Sequence, residues 1–230
     1  MRPVSATKAY IPQRQSIVTT SDVDGADSPF GYWGYFSYPM RRRLDMVVEA
    51  MKKKSGYHRI LDAGYGCGVF LPDLYHRLDP NNGVLHGVDI HDSSAEVKQN
   101  LTLYEEMDDQ RIELGKYPLF ALPFPDHTFD LIVSVSVLEH IPPHFLPSCL
   151  DEIKRVAAPG AEIILGFPTD CILIRALAWI QKQNLRENHP STHEDITHAI
   201  HQAGLRIECQ TRFPWFAGPL TMHYNVRCTV

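Results

Sequence analysis

Residues Ile60 to Gly68 read ILDAGYGCG: two apolar residues lead into Asp62, and glycines follow at Gly64, Gly66 and Gly68. A helical apolar spacing begins directly afterwards with Leu71, Leu74, Tyr75 and Leu78. That order spells a strand, a glycine turn and a helix start. Glycine suits such a turn because it accepts positive φ and lets a ligand approach the backbone. The helix beyond is expected to offer N–H groups and a positive dipole end. Spacing then narrows the ligand. A dinucleotide fingerprint needs its third glycine three positions after the second, where this chain has Val69; here it comes two positions on, and an acid stands two positions before the first.

The 230 residues are 44% hydrophobic and 21% charged, which fits a single globular domain. A formal charge of −5, with no long basic run, excludes tracking of a phosphate backbone, so no nucleic-acid partner is expected. The five cysteines are scattered and lack C-x-x-C spacing, which argues against a disulfide framework or a zinc site and for a reducing, cytoplasmic setting. The most apolar run, Cys171 to Ile180, is broken by Arg175 and too short to span a bilayer, so no integral membrane segment is expected.

Residues 1–29 are polar, contain Pro3, Pro12 and Pro29 and show no element period; they read as an N-terminal arm to a single domain over 30–230. Phe30 to Tyr38, FGYWGYFSY, concentrates aromatics that suit either a core plug or a lid over a cofactor or substrate pocket, where ring faces would attract a cation. Met40, Leu44, Val47, Val48 and Met51 line one face of a helix from Pro39 to Lys54. A short second strand, Val84 to Ile90, carries Asp89 at its tip, about twenty residues past the glycine turn, where a carboxylate can hold a ribose. Ser93 or Ser94 starts a helix to about Asp108, and Arg111 to Leu114 is a weak strand. Asp130 to Val135 and Ala161 to Gly166 are further strands with a helix from Phe145 between them. Ser191 and Glu194 have capping-box spacing for a helix ending at Gly204, and Leu205 to Arg212 and Thr221 to Val230 form a terminal strand pair.

D-x-G-x-G-x-G after a first strand resembles the first motif of the class I S-adenosylmethionine-dependent methyltransferases. PLFALPFPDHTFD (118–130), SVLEHIP (136–142) and EIKRVAAPGAEIIL (152–165) are similar to successive segments of their ubiquinone/menaquinone-biosynthesis type. The resemblance covers about residues 30–230 and implies an α/β Rossmann-like open sheet of seven strands, mostly parallel with an antiparallel last strand, with helices on both faces. It implies methyl transfer from S-adenosylmethionine, leaving S-adenosylhomocysteine, to a small-molecule or lipid/glycan-type acceptor. Carried onto this chain, Asp62, Gly64, Tyr65, Gly66 and Gly68 shape the methionine and sulfonium pocket, Asp89 with Ile90 holds ribose, Leu119 meets adenine and Ser134 lines the floor. The acid usual at the adenine falls on Pro118. His140 is the general-base candidate, beside the alternative of a structural histidine. Metal-dependent members carry E-x-x-E-H here; Ser136 replaces the first Glu, so no metal is expected. Trp33, Tyr35, Tyr38 and His189 are candidates for the acceptor pocket, and residues 169–190 form an insertion expected to cover it. The oligomeric state stays open, a homodimer included. Two other readings remain: a non-catalytic binding or partner protein of this fold, and a nicotinamide-dependent oxidoreductase, against which Val69 speaks.

Overall fold

The computed structural model describes residues 4–18, 31–35, 37–53, 55–169, 171, 189–214 and 221–230. Seven strands form one sheet: β1 (Arg59–Ala63), β2 (Val84–Asp89), β3 (Ile112–Lys116), β4 (Phe129–Val135), β5 (Ala157–Pro168), β6 (Arg206–Phe213) and β7 (His223–Thr229), in the order β3-β2-β1-β4-β5-β7-β6. The first five strands pair in parallel, while β7 runs antiparallel to both β5 and β6. Strand order therefore reverses between β1 and β4, and ligands of open parallel sheets bind outside the carboxyl ends at such a reversal.

The sheet is buried on both faces because its central strands alternate apolar residues toward two cores. Ile60, Leu131 and Val133 pack with helices α1 (Tyr38–Ala50), α2 (Leu71–His76) and α3 (Ser94–Glu105). Leu61, Ala63 and Ile132 pack with α4 (Leu146–Val156) and α5 (His193–Gln202). In α4, Leu146, Cys149, Leu150, Ile153 and Val156 recur at helical spacing, and all are buried. Among the described residues no helix is long and apolar enough to cross a membrane.

The cap of α5 lies one residue later than expected. Thr192, not Ser191, is the N-cap, and Asp195 closes the box by accepting the Thr192 N–H at 2.9 Å. Ser191 is unavailable because its hydroxyl donates to the Ile141 carbonyl. Strand β5 starts at Ala157 rather than Ala161, since Ala157 pairs with Phe129 before the register shifts to Leu131↔Glu162. Helix α2 has only six residues, so the dipole expected behind the glycine turn has little length to build on.

The described part of the arm, residues 4–18, is docked rather than free. Glu105, the last residue of α3 and 4% exposed, accepts hydrogen bonds from Tyr10 Oη (2.8 Å), the Gln13 N–H (2.9 Å) and Ser16 Oγ. Ile17 and Val18 join the core, and the Val18 N–H donates to the Cys67 carbonyl within the glycine turn at 3.4 Å. A buried ion pair also holds the arm. Arg77 Nε donates to Asp73 Oδ2 at 2.6 Å, Arg77 Nη2 reaches the Ser5 carbonyl at 3.1 Å, and Asp73 Oδ1 accepts the Tyr10 N–H at 2.8 Å. The insertion expected over 169–190 lies mostly outside the described residues. Truncating one partner of this pair strands the other charge, so Asp73→Ala is expected to lower unfolding free energy by about 3–5 kcal/mol in urea titrations and to speed proteolysis within the arm.

Candidate functional site

Three β–turn connections meet at the carboxyl ends of β1, β2 and β4. Gly64, Gly66 and Gly68 all have positive φ, as the sequence required. At Gly64 (φ +97°) space is also decisive, because an added Cβ would come within 2.2 Å of Val137 Cγ2. The turn is fixed to β2 from both sides. Gly64 donates its N–H to the Val88 carbonyl at 2.8 Å, and Asp89 Oδ2 accepts the Gly66 N–H at 2.8 Å.

Sequence reasoning passed over His91, which completes this latch. Its Nδ1 accepts the Ser93 N–H at 3.1 Å, so the ring proton sits on Nε2 and is donated to the Gly66 carbonyl at 2.9 Å. Tyr65 is 4% exposed and lays its ring edge-on to His91, with centroids 5.1 Å apart, over Gly87. The second oxygen of Asp89 accepts the Ile90 N–H at 2.7 Å, and the Ile90 side chain is exposed. With only one backbone donor on each oxygen, the Asp89 carboxylate keeps lone pairs for ligand hydroxyls.

Asp62 is 4% exposed on the same face. Burial, and then the charge of Asp89, push its carboxyl up to about 8. Ser134 is also buried, and its hydroxyl donates to the Ala63 carbonyl at 2.8 Å, so it braces the end of β1 from beneath. Leu119 is buried at the edge of the second core, beside the exposed Phe120, whose ring stacks on Phe145 with centroids 5.7 Å apart.

The other flank lies at the ends of β4, β5 and β7. Ser136 follows β4 with φ +57°, a conformation that side chains rarely adopt and that concentrates at functional sites. Its backbone N–H donates to the Gly166 carbonyl at 2.7 Å, and its Oγ accepts from Arg43 Nη1 at 2.7 Å. Arg43 Nη2 donates to Tyr32 Oη at 2.6 Å. The Ser136 hydroxyl in turn bonds the Glu139 carboxyl, which burial raises to about 7 against the lowering pull of this bond and of Arg43. Arg43 carried no sequence signal beyond its place on an amphipathic helix, and Glu139 only that of the second acid in the E-x-x-E-H pattern that Ser136 breaks.

The expected acceptor-pocket residues disperse. Trp33 packs against the first core and donates from Nε1 to the Pro12 carbonyl at 3.3 Å; Tyr35 is fully exposed; Tyr38 meets Phe213 edge-on, with centroids 5.7 Å apart. His140 and His189 do come together, with ring centroids 4.8 Å apart. Glu139, His140 and His189 each present one ligand atom within 4.8 Å of the others, a spacing at which a cation could be shared and which Ser136 had argued against.

Residues 60–160 match the family model described as a methyltransferase domain. The phosphatidylethanolamine N-methyltransferase of Cereibacter sphaeroides is 25% identical over 210 residues, covering 86% of this chain and 95% of that protein. The 27-O-demethylrifamycin SV methyltransferase of Amycolatopsis mediterranei (strain S699) is 26% identical over 161 residues, covering 68% of this chain and 56% of that protein. Among solved structures, the geranyl diphosphate C-methyltransferase of Streptomyces coelicolor A3(2), in complex with Mg2+, geranyl diphosphate and S-adenosyl-L-homocysteine, aligns with a TM-score of 0.62 at 10% identity, over 81% of this chain and 76% of that one, a likeness of fold.

Because its folded-state carboxyl is raised, Asp62 contributes stability that is complete below the ordinary carboxylate range and is lost as pH rises from about 4 through about 8. Replacing it with Asn is expected to flatten the ligand-free stability profile over that interval and to raise stability at pH 8 relative to wild type, as read by urea midpoints.

Proposed function

We propose that the chain acts as a class I S-adenosylmethionine-dependent methyltransferase and transfers the sulfonium methyl group to a small-molecule or lipid-type acceptor entering beside the ends of β4 and β5. The observation that carries this reading is the latched glycine turn, with two carboxylates at the tips of adjacent strands. The fit to the cofactor is good on this chain's own geometry: a turn with no room for Cβ admits close backbone approach, and Asp89 has acceptor capacity to spare for ribose hydroxyls.

The cofactor, when bound, supplies a methyl group already activated on sulfur, so the protein's task is mainly alignment. Asp62, Gly64, Tyr65, Gly66 and Gly68 shape the methionine end; a cationic group arriving there favours ionised Asp62. Asp89 orients ribose and Leu119 offers adenine an apolar wall, with Ser134 stiffening the floor. The meeting of the His140 and His189 rings supports a place for both on the acceptor side, with His140 as a proton-transfer candidate. The named acceptors of the two curated relatives, a phospholipid amine and an O-demethylated rifamycin, support a polar heteroatom as the acceptor. Five free thiols support a reducing, cytoplasmic setting, and the acidic balance supports acceptors other than nucleic acid.

A thermal-shift titration tests the reading. S-adenosylmethionine and S-adenosylhomocysteine at 100 times their dissociation constants are expected to add about 2.7 kcal/mol, NAD nothing, and Asp89→Ala is expected to weaken both ligands at least about tenfold. Stabilisation by NAD alone would sink the proposal. Gly64→Ala, which meets both positive φ and Val137, is expected to abolish the shifts.

A further inference from the structure

The acceptor flank holds polar groups that the fold leaves without partners. Among the described residues, Arg43 Nε, Glu139 Oε2, His223 Nε2 and both amide atoms of Asn225 are enclosed and make no hydrogen bond. Glu139 is 2% exposed, Asn225 1% and His223 7%. Buried polar atoms are nearly always satisfied, so a cluster of exceptions asks for a missing partner.

These atoms face a common region. An added Cβ on Gly166 would lie 3.1 Å from His223 Nε2 and 3.6 Å from Asn225 Oδ1. The Gly166 carbonyl accepts from Ser136, whose hydroxyl accepts from Arg43 Nη1 and bonds Glu139. Val137, the next residue, is the side chain that abuts Gly64. The cluster thus adjoins the glycine turn through Val137.

Its chemistry is specific. Arg43 is a permanent cation that donates to the Ser136 hydroxyl and the Tyr32 phenol and feels the charge of the Glu139 carboxyl, and its Nε–H is left over. Burial and Arg43 keep His223 neutral, with its titration pressed down to about 3. Unmet donors (Arg43 Nε–H and the Asn225 amide N–H) and unmet acceptors (Glu139 Oε2 and Asn225 Oδ1) occur together. A ligand that answers both carries an oxyanion and an N–H donor.

We propose that the acceptor is an amine bearing a nearby oxyanion, a phosphate or carboxylate, with Arg43 and Asn225 seating the oxyanion and Glu139 Oε2 accepting an N–H of the amine. The inference rests on the methyl-transfer reading above. The ammonium reacts after losing one proton to solvent water, and the freed nitrogen lone pair forms the new C–N bond. The methyl–sulfur bond breaks as its electron pair returns to sulfur, so an N-methylammonium and a neutral thioether leave together. Ser136, held by Arg43, is a positioning residue that keeps the Glu139 carboxyl turned toward the pocket.

The experiment supplies the full chain with methyl-labelled S-adenosylmethionine and offers O-phosphoethanolamine, glycine, ethanolamine or phosphatidylethanolamine vesicles, with S-adenosylhomocysteine binding measured separately by calorimetry. Label is expected in at least one anion-bearing amine, about 100-fold faster than in ethanolamine. The vesicle and free phosphoamine arms tell a headgroup from a soluble acceptor. Asn225→Leu and Glu139→Leu are each expected to raise KM for the labelled amine about tenfold and to leave S-adenosylhomocysteine affinity unchanged. Equal transfer to ethanolamine, or no transfer to any of the four by protein that binds S-adenosylhomocysteine, would overturn the amine class. Loss of S-adenosylhomocysteine affinity in Arg43→Gln with Asn225→Leu silent would assign the guanidinium to the cofactor instead and also overturn it. Abolition of transfer by a chelator would assign Glu139 to a metal ion with His140 and His189 and overturn its place at the amine. Failure of wild type to bind S-adenosylhomocysteine at all would count against the family activity itself, a distinct result.

Discussion

The contact between Gly64 and Val137 constrains everything around it. No Cβ fits on the turn after β1, because the side chain that follows β4 occupies that space. This closeness lets the turn fold back on Val88 and Asp89, and it forces the chain leaving β4 through a left-handed Ser136. Backbone strain of order 1–3 kcal/mol at such a residue persists only where the surroundings over-determine it. Here Gly166 and Arg43 do so by taking its N–H and its hydroxyl. One steric contact therefore sets the geometry of both flanks of the site.

The flanks differ in electrical sense. At the tips of β1 and β2 burial and the charge of Asp89 disfavour ionised Asp62, while across Val137 a guanidinium has a hydroxyl, a phenol, a neutral imidazole and the Glu139 carboxyl for company. Each flank is costly in the ligand-free chain, since its ionisable groups are buried and poorly solvated. A cation at one and an anion at the other would relieve both costs. This polarity gives two ligands opposite reasons to choose their ends of the cleft.

Much of this was legible in the amino acids. The glycine spacing, Asp62 and Asp89, and the alternating runs of β1 and β4 lead directly to the sheet, its order of use and the latched turn, because steric and periodic rules act locally. The Ser191 cap failed by one residue since Ser191 is claimed by Ile141, fifty positions away, and no local rule reports that competition. Arg43, His223 and Asn225 were invisible for the same reason: they come from α1 and β7, and only the sheet topology brings them to Ser136 and Gly166. The aromatic run misled in part, since composition cannot tell a buried Tyr32 from a fully exposed Tyr35 three residues on.

The three donors from Tyr10, Gln13 and Ser16 all end on the single carboxylate of Glu105. Bonds that share one acceptor group are lost together once the last turn of α3 frays, so this part of the arm opens as a unit rather than peeling residue by residue. Because Val18 rests on the Cys67 carbonyl, that same opening uncovers the glycine turn. The anchorage of the arm at the end of α3 is therefore continuous with the backbone of the glycine turn, and a change at Glu105 would loosen the segment that packs on it.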